Sequence, residues 1–273
     1  QQFRRDVEAT GMKVLSTHCT LNLSDKQLAT GDFTEALKWW DECIAAHKAA
    51  GVEYIVVPSM RRIETLDGLA TYCRYFNEVG ARCKAAGIKF GYHNHSREFE
   101  KVEDRVMLDY MLENTDPDKV FFQMDVYWTV MGQASPVDYF TKYPGRFRLL
   151  HIKDRREVGQ SGMVGYDAIF RNAATAGVEN IIVEMEGSSY GDVLRSVREL
   201  EPSGSEYEVW AKLWSGEAKW RAAAGLALVD RMFPDGDPSK WEQVSGFMSS
   251  ASRRPRQLAA LDGLFAAVSA LRE

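Results

Sequence analysis

Short apolar runs alternate with longer amphipathic stretches over about the first 190 residues of the chain. The runs are mainly β-branched or aromatic and span residues 12–18, 54–59, 89–95, 120–126, 147–153 and 180–186. Runs that are apolar throughout are typical of strands that a parallel sheet buries on both faces. Their near-regular alternation with helical stretches predicts βα units, and therefore an α/β fold built as a (β/α) TIM-type barrel.

Two of the intervening helices have readable ends. The first is expected to begin at a capping box formed by Asp32 and Glu35 and to end at Gly51, with Leu37, Trp40 and Ile44 on one face. The second carries an apolar stripe that ends before Gly87 and consists of Leu69, Tyr72, Phe76, Val79 and Cys83. Spacings of three and four residues indicate a stripe that packs against the barrel rather than one that binds a cofactor.

The pattern changes near Glu201. The segment Pro202-Ser-Gly-Ser205 resembles a short linker, and the residues after it show helical periodicity with no further clear strand. We therefore expect two parts. Residues 1–203 form the TIM-type barrel, and residues 204–273 form a C-terminal helical extension of unknown role.

Composition narrows the class of protein. The 273 residues lie close to the roughly 250 of one (β/α)₈ barrel, and no run of about 18 apolar residues is present to cross a bilayer. The formal net charge is −5, so the chain lacks the positive electrostatic field that binds nucleic acid. These features predict a soluble protein with neither a membrane nor a nucleic acid as partner. They leave open a cytoplasmic or periplasmic location and the formation of a homo-oligomer.

Four cysteines lie in the first third of the chain: Cys19, Cys43, Cys73 and Cys83. They have no CxxC spacing, so neither a disulfide framework nor a zinc knuckle is indicated. We interpret them as reduced thiols of the core. His47 falls within a predicted helix and is interpreted as a surface or packing residue.

Polar residues concentrate at the ends of the apolar runs, where barrel enzymes place their active sites. Four consecutive runs end in a potential metal ligand: His93, Asp125, His151 and Glu184. Four separate salt bridges would also satisfy these residues, but one cation between them explains all four at once. A mixture of imidazole and carboxylate suits Mn²⁺, Co²⁺, Zn²⁺, Fe²⁺ or Ni²⁺ better than Ca²⁺. The sequence therefore predicts one divalent metal ion per chain, of undecided identity.

Several motifs identify a family resemblance. They are Tyr92-His-Asn-His95, Glu98-Phe99, Asp125-Val-Tyr-Trp128, Tyr143-Pro-Gly-Arg-Phe147, His151-Ile-Lys-Asp154 and Ile182-Val-Glu184. Across about residues 11–190 they resemble the successive strand signatures of the xylose-isomerase-like TIM-barrel sugar phosphate isomerases and epimerases. Run 12–18 resembles that family's third strand, so its first two strands are not visible in this chain.

The resemblance implies a metal-dependent isomerase or epimerase that acts on a sugar or sugar-derived ketone by proton transfer through an enediolate. In many relatives the first ligand is a glutamate that also serves as a base, whereas this chain has His93 there. Glu184 is the expected base, and Glu98, His95 and Glu186 are candidates for the second proton-transfer group. The residues expected to contact a carbohydrate substrate are His18, Trp128, Lys153 and Glu186.

Two other functions remain open at this point. A metal-dependent lyase or hydratase on a keto-sugar or keto-polyol would use the same metal-stabilised enolate and expel a hydroxyl group. A carbohydrate-binding protein that has lost the base would keep the pocket without turnover.

Overall fold

All six apolar runs contain a strand in the structure, a computed structural model that describes residues 2–156, 158–159 and 161–184. In chain order the strands are β1 (Ser16–His18), β2 (Tyr54–Val57), β3 (Lys89–His93), β4 (Lys101–Val102), β5 (Arg105–Val106), β6 (Val120–Asp125), β7 (Leu149–Ile152) and β8 (Asn180–Val183). β4 and β5 form a small antiparallel hairpin, and the other six strands form one parallel sheet in the order β1-β2-β3-β6-β7-β8. With its helices this sheet forms a half-barrel, which confirms the predicted TIM-barrel fold class.

Helices follow the strands as the βα pattern predicts. They are α1 (Gln2–Glu8), α2 (Asp25–Thr30), α3 (Thr34–Ala50), α4 (Leu66–Ala85), α5 (Met107–Asn114), α6 (Val126–Met131), α7 (Pro136–Lys142), α8 (Tyr166–Arg171) and α9 (Ala173–Ala176), with a 3₁₀ helix at Ser96–Phe99. The apolar stripe predicted for α4 is buried throughout. None of the helices in the described part of the chain is long and apolar enough to cross a bilayer.

The predicted start of α3 is wrong in detail. Phe33, not Asp32, is the N-cap residue, and the Phe33 side chain makes no capping hydrogen bond. Asp32 instead bonds to the first residue of the helix, since its Oδ1 accepts hydrogen bonds from the backbone N–H (3.0 Å) and hydroxyl (2.7 Å) of Thr34. The end of the helix is as predicted, with Gly51 in the left-handed conformation at φ 81°.

The inner face of the half-barrel changes from apolar to polar along the strands. Near the start of the strands Tyr54, Val56, Phe121 and Leu149 form a buried cluster. Gly91 makes room for it, since a Cβ there would lie 2.7 Å from the Phe121 ring. Beyond this cluster the inward positions become polar, because residues two apart on one strand share a face. The register of the strands therefore carries potential ligands to one end of the half-barrel.

Aromatic packing against the helices fixes the outer face. The rings of Trp40 on α3 and Phe76 on α4 lie 5.6 Å and 5.9 Å from the ring of Phe90 on β3. Trp40 also donates a hydrogen bond to the Tyr75 hydroxyl (2.6 Å), so its one polar atom is satisfied although the side chain is fully buried. These contacts hold α3 and α4 to the centre of the sheet.

The sheet and its helices belong to one compact unit, which contains residues 13–153 and 163–184. Residues 8–12 and 154–162 belong to a second unit, in which Asp154 accepts hydrogen bonds from the backbone N–H groups of Arg155, Gly159 and Ser161. The predicted domain boundary at 203/204, the helical extension and Glu186 lie outside the described residues.

A close approach of α4 to the loop before β6 predicts a stability effect at Gly80. A Cβ at Gly80 would lie 2.3 Å from the backbone oxygen of Lys119, and backbone cannot rotate away. Gly80→Ala gains about 1 kcal/mol of helix propensity but overpacks a buried contact, which costs about 3 kcal/mol. We expect urea denaturation to show a net loss of about 2 kcal/mol.

The matched control is Gly165→Ala, because nothing lies within 4 Å of a Cβ at Gly165 and its φ is −80°. That variant should stay within about 1 kcal/mol of the parent protein. A Gly80→Ala protein as stable as the Gly165→Ala protein would show that α4 does not approach Lys119 this closely.

Candidate functional site

Ionisable side chains at the ends of five strands converge at the carboxyl end of the sheet. His18 ends β1, His93 ends β3, Asp125 ends β6, and His151 lies on β7 directly opposite Asp125 in the strand register. Glu184 follows β8 by one residue and lies 2.7 Å from His151, measured from Oε2 to Nδ1. The sequence-predicted ligands are therefore brought to one place.

The potential ligand atoms fall into two overlapping groups. Asp125, His151 and Glu184 form one group and His18, His93 and His151 the other, with all ligand atoms in each group within 4.8 Å of one another. His93 thus joins the cluster through His151, with their ring centroids 4.6 Å apart. His18, expected from the sequence to contact substrate, also lies among the potential ligands.

Three buried ligand atoms in this cluster make no hydrogen bond: Asp125 Oδ2, His93 Nδ1 and His151 Nδ1. His151 Nδ1 lies 3.9 Å from Asp125 Oδ2 and makes an ion-pair contact with Glu184 Oε2 at 2.7 Å. Leaving a buried polar atom unpaired costs about 1–3 kcal/mol. A cation held by Asp125, His151 and Glu184, whose ligand atoms lie within 4.8 Å of one another, would satisfy Asp125 Oδ2 and His151 Nδ1, so this donor set fits a divalent metal of the kind the sequence predicts.

Electrostatics at the cluster favour neutral imidazoles. Burial, reinforced by the neighbouring His151, His95 and His18, lowers the pKa of His93 to about 2. Burial also lowers the pKa of His151, although the nearby Glu184 carboxylate opposes this shift. A neutral imidazole is the form that coordinates a metal, so neither ring needs to lose a proton at neutral pH.

The pKa values of the two carboxyl groups of the cluster are shifted in opposite directions. Burial, with the Glu184 charge acting in the same direction, raises the pKa of Asp125 to about 7. The contact with His151, with Lys153 acting in the same direction, lowers the pKa of Glu184 to about 2. Asp125 also accepts a hydrogen bond from the backbone N–H of Trp128 at 2.8 Å, through Oδ1, and so caps α6. One oxygen of Asp125 is therefore structural, and the other faces the cluster.

Lys153 extends the cluster on the β7 side. Its side chain is 2% exposed, and its Nζ lies 3.3 Å from Glu184 Oε1. The sequence predicts a substrate contact for Lys153, and the structure shows an ion pair with Glu184. A buried ammonium group this close to a carboxylate holds it in one orientation.

Glu98 is fully buried beneath the loop that follows β3. Its Oε1 accepts hydrogen bonds from the Tyr92 hydroxyl (2.7 Å) and Arg97 Nε (3.0 Å), and its Oε2 accepts one from the backbone N–H of His95 (2.8 Å). Both oxygens are engaged within the loop, so this structure does not present Glu98 to a substrate. The carboxylate instead fixes the loop that carries His95.

His95 and Trp128 lie side by side at the rim of the cluster, both half-buried. Their ring centroids are 5.7 Å apart, and the His95 ring lies 4.8 Å from that of His93. The two residues expected from the sequence to carry a proton and to form an apolar wall are therefore next to each other.

Two polar residues at the site were not singled out from the sequence. Gln123 lies two residues before Asp125 on β6, is fully buried, and accepts a hydrogen bond from His18 Nε2 at 3.1 Å. Asn94 accepts a hydrogen bond from the backbone N–H of Asp125 (3.2 Å) and donates one to Thr129 Oγ1 (3.3 Å). The period of two along β6 could have identified Gln123, whereas no local signal indicates the role of Asn94.

Comparisons with known proteins agree with this fold. Residues 1–212 match the family described as "Xylose isomerase-like TIM barrel". The crystal structure of a sugar phosphate isomerase/epimerase from Parabacteroides distasonis is 36% identical, with a TM-score of 0.66 over 74% of this chain and 77% of that chain.

Two further similarities are more distant. An inosose dehydratase from Lacticaseibacillus casei is 27% identical over 132 residues, which are 48% of this chain and 42% of that protein. The match thus spans less than half the length of this curated relative. The structure of the IolI protein with a zinc atom is 14% identical, with a TM-score of 0.57 over 79% of this chain and 84% of that chain, and shows likeness of fold alone.

Proposed function

Since this chain belongs to the xylose isomerase-like TIM barrel family, we propose that it is a metal-dependent isomerase or epimerase of a sugar or sugar-derived ketone. The observation that carries this proposal is the convergence of His93, Asp125, His151 and Glu184 at one end of the sheet. The similar isomerase/epimerase of Parabacteroides distasonis supports it.

We assign the divalent cation to Asp125, His151 and Glu184, with His93 as the fourth protein ligand. A ligand set of two imidazoles and two carboxylates suits Mn²⁺, Co²⁺, Zn²⁺, Fe²⁺ or Ni²⁺. Bound there, the cation would withdraw electrons from a substrate carbonyl oxygen and make the adjacent C–H group more acidic.

Glu184 is the proposed base that removes the substrate proton. Its low pKa keeps the carboxylate ionised at neutral pH, which is the form that accepts a proton. A carboxylate of such low basicity is effective only where the substrate carbon has been made acidic, so this role depends on the cation. Lys153, 3.3 Å from Glu184 Oε1, is proposed to orient the carboxylate and to contact a substrate oxygen.

His95 is the proposed group that returns the proton. It lies at the rim beside Trp128, while Glu98 holds its backbone N–H at 2.8 Å. We therefore propose that Glu98 positions His95. Trp128 is proposed to form an apolar wall for the sugar, and His18, held by Gln123, to contact a substrate hydroxyl.

A dehydratase is the second candidate function. The similarity to the Lacticaseibacillus casei inosose dehydratase favours it specifically. Removal of the same proton by Glu184 would then be followed by departure of a β-hydroxyl group as water, with His95 donating the proton that the leaving group needs.

Turnover of a panel of ketoses and keto-polyols in deuterium oxide separates the candidates. We expect metal-dependent incorporation of deuterium at the carbon next to the carbonyl. Apart from this exchanged hydrogen, the product should have the same elemental composition as the substrate. A product short of one water would identify the dehydratase. Binding without exchange on the whole panel, with metal bound, would favour a carbohydrate-binding protein and contradict the proposal.

Replacing His95 should separate proton removal from proton return. In the His95→Asn variant we expect the rate of product formation to fall by about 10²-fold, the usual scale for a general acid or base. Exchange of the substrate's own proton through Glu184 should continue, because that step does not use His95. Equal losses of exchange and product would show that His95 does not act in the return step alone.

A further inference from the structure

We call His18, His93, Asp125, His151 and Glu184 the strand-end cluster. A second group of potential metal ligands lies outside it. Cys43 and His47 are one turn apart on α3, and Cys19 directly follows β1. We call these three residues the thiol–imidazole cluster. The sequence suggested core thiols and a surface histidine, whereas the structure leaves all three side chains half-buried. An ion could therefore reach them from solvent.

The backbone holds the cluster from two separate elements. Residues four apart on a helix lie on the same face, so α3 places the Cys43 thiol and the His47 ring together. Cys19 is fixed by a hydrogen bond from its backbone N–H to the Val56 carbonyl oxygen at 2.9 Å. His47 Nδ1 lies 2.8 Å from the Cys43 carbonyl oxygen, which orients the ring. A histidine held through Nδ1 in this way would offer its other ring nitrogen, Nε2, to a metal ion.

The distances fit coordination by a tetrahedral ion. The two sulfur atoms of Cys19 and Cys43 are 3.3 Å apart, and the His47 ring lies beside them, with Nδ1 3.4 Å from Cys43 Sγ. One ligand atom from each of the three residues lies within 4.8 Å of the other two. With zinc–sulfur bonds of about 2.3 Å, two sulfur ligands of a tetrahedral ion lie about 3.7 Å apart. An adjustment of about half an ångström would admit the ion.

A disulfide explains the cluster less well. Its sulfur atoms would have to approach to about 2.05 Å, a larger movement from the observed 3.3 Å than coordination needs. A disulfide also gives His47 no role.

We propose that Cys19, Cys43 and His47 bind a second divalent cation, one with a preference for sulfur, of which zinc is the type. This site is independent of the function proposed above. Two thiolates and one imidazole select such an ion over Mn²⁺ or Mg²⁺, and a water molecule can complete the coordination. Because Cys19 adjoins His18, the ion would tie α3 to the strand end that carries His18.

Cobalt provides a direct test, because thiolate ligands give Co²⁺ a charge-transfer absorption in the near ultraviolet and the strand-end cluster contains no sulfur. Titration of the reduced full chain with Co²⁺ should give this absorption, with a final intensity that corresponds to one thiolate-bound Co²⁺ per chain. The Asp125→Ala, His151→Ala double variant should keep it. Cys73→Ala is the matched control, because this buried cysteine lies on α4 outside the cluster, and it should keep the absorption too.

Two variants should remove or weaken the signal. Cys43→Ser should abolish the absorption, and His47→Ala, a milder change on α3, should weaken Co²⁺ binding at the cluster by at least about 100-fold. An absorption that survives both changes, or its absence from the reduced parent protein, would overturn the proposal. The isolation of a Cys19–Cys43 disulfide with no cobalt signal after reduction would overturn it in favour of a thiol–disulfide pair.

Discussion

Glu184→Gln is expected to lower solvent-deuterium exchange at the substrate carbon by about 10²-fold or more, the scale of a general base. Glutamine keeps the shape of the side chain and one oxygen but cannot accept the proton. The measurement is exchange on a responsive ketose, followed by mass spectrometry, at a metal occupancy verified for each sample. Occupancy must be matched because Glu184 is also a proposed ligand.

Glu179→Gln is the matched control for that experiment. Glu179 precedes the same strand at its opposite end, where it accepts hydrogen bonds from the Tyr54 hydroxyl (2.5 Å) and Lys89. Its replacement removes the same charge far from the cluster and should leave exchange within about twofold of the parent rate, an effect below 1 kcal/mol. Exchange at the parent rate in Glu184→Gln, with metal bound, would leave Glu184 as a ligand or a structural residue only.

Asp125→Asn should have the largest effect on metal content and turnover together. The amide oxygen can still accept the hydrogen bond that caps α6, but the anionic Oδ2 that faces the cluster is replaced by an NH₂ group. The cation is expected to supply several kcal/mol to the reaction, so its loss should lower turnover by about 10³-fold or more. Elemental analysis and turnover should be measured on the same preparations.

The Asp125→Ala, His151→Ala double variant extends that test. It removes two proposed ligands and should hold no metal at the strand ends after mild purification. Both the double variant and its reference protein should carry Cys43→Ser. Equal metal content in the two proteins would show that the ligands are elsewhere. The Cys43→Ser background is needed so that ions at the thiol–imidazole cluster are not counted.

Much of the fold could be predicted because parallel strands leave a strong signal. Residues 120–126 are apolar almost throughout, and the corresponding strand β6 is buried at every position. The predicted start of α3 is wrong because the Asp32 side chain bonds to Thr34 and does not form a capping box with Glu35. The sequence does not decide between these two local hydrogen-bonding patterns. The ends of elements depend on such small differences, whereas their existence depends on burial.

The candidate site was predictable where its residues lie on strands and less so where they lie on loops. Asp125 and His151 follow from strand ends and the two-residue alternation of side chains. The position of Glu98 depends on Tyr92 and Arg97, which surround its carboxylate only after the loop has folded. The pairing of Cys19 with Cys43 likewise joins a strand end to a helix and leaves no mark in sequence spacing.

One divalent cation is proposed to lie between the side chains at the carboxyl end of the sheet. Anomalous diffraction from crystals of the active protein grown with Mn²⁺ tests it directly, since manganese does not favour sulfur ligands. We expect one strong peak within about 2.0–2.2 Å of Asp125 Oδ2, a nitrogen of His151 and an oxygen of Glu184. A metal-dependent, active enzyme with no peak among these atoms, or with its manganese bound elsewhere, would contradict the claim.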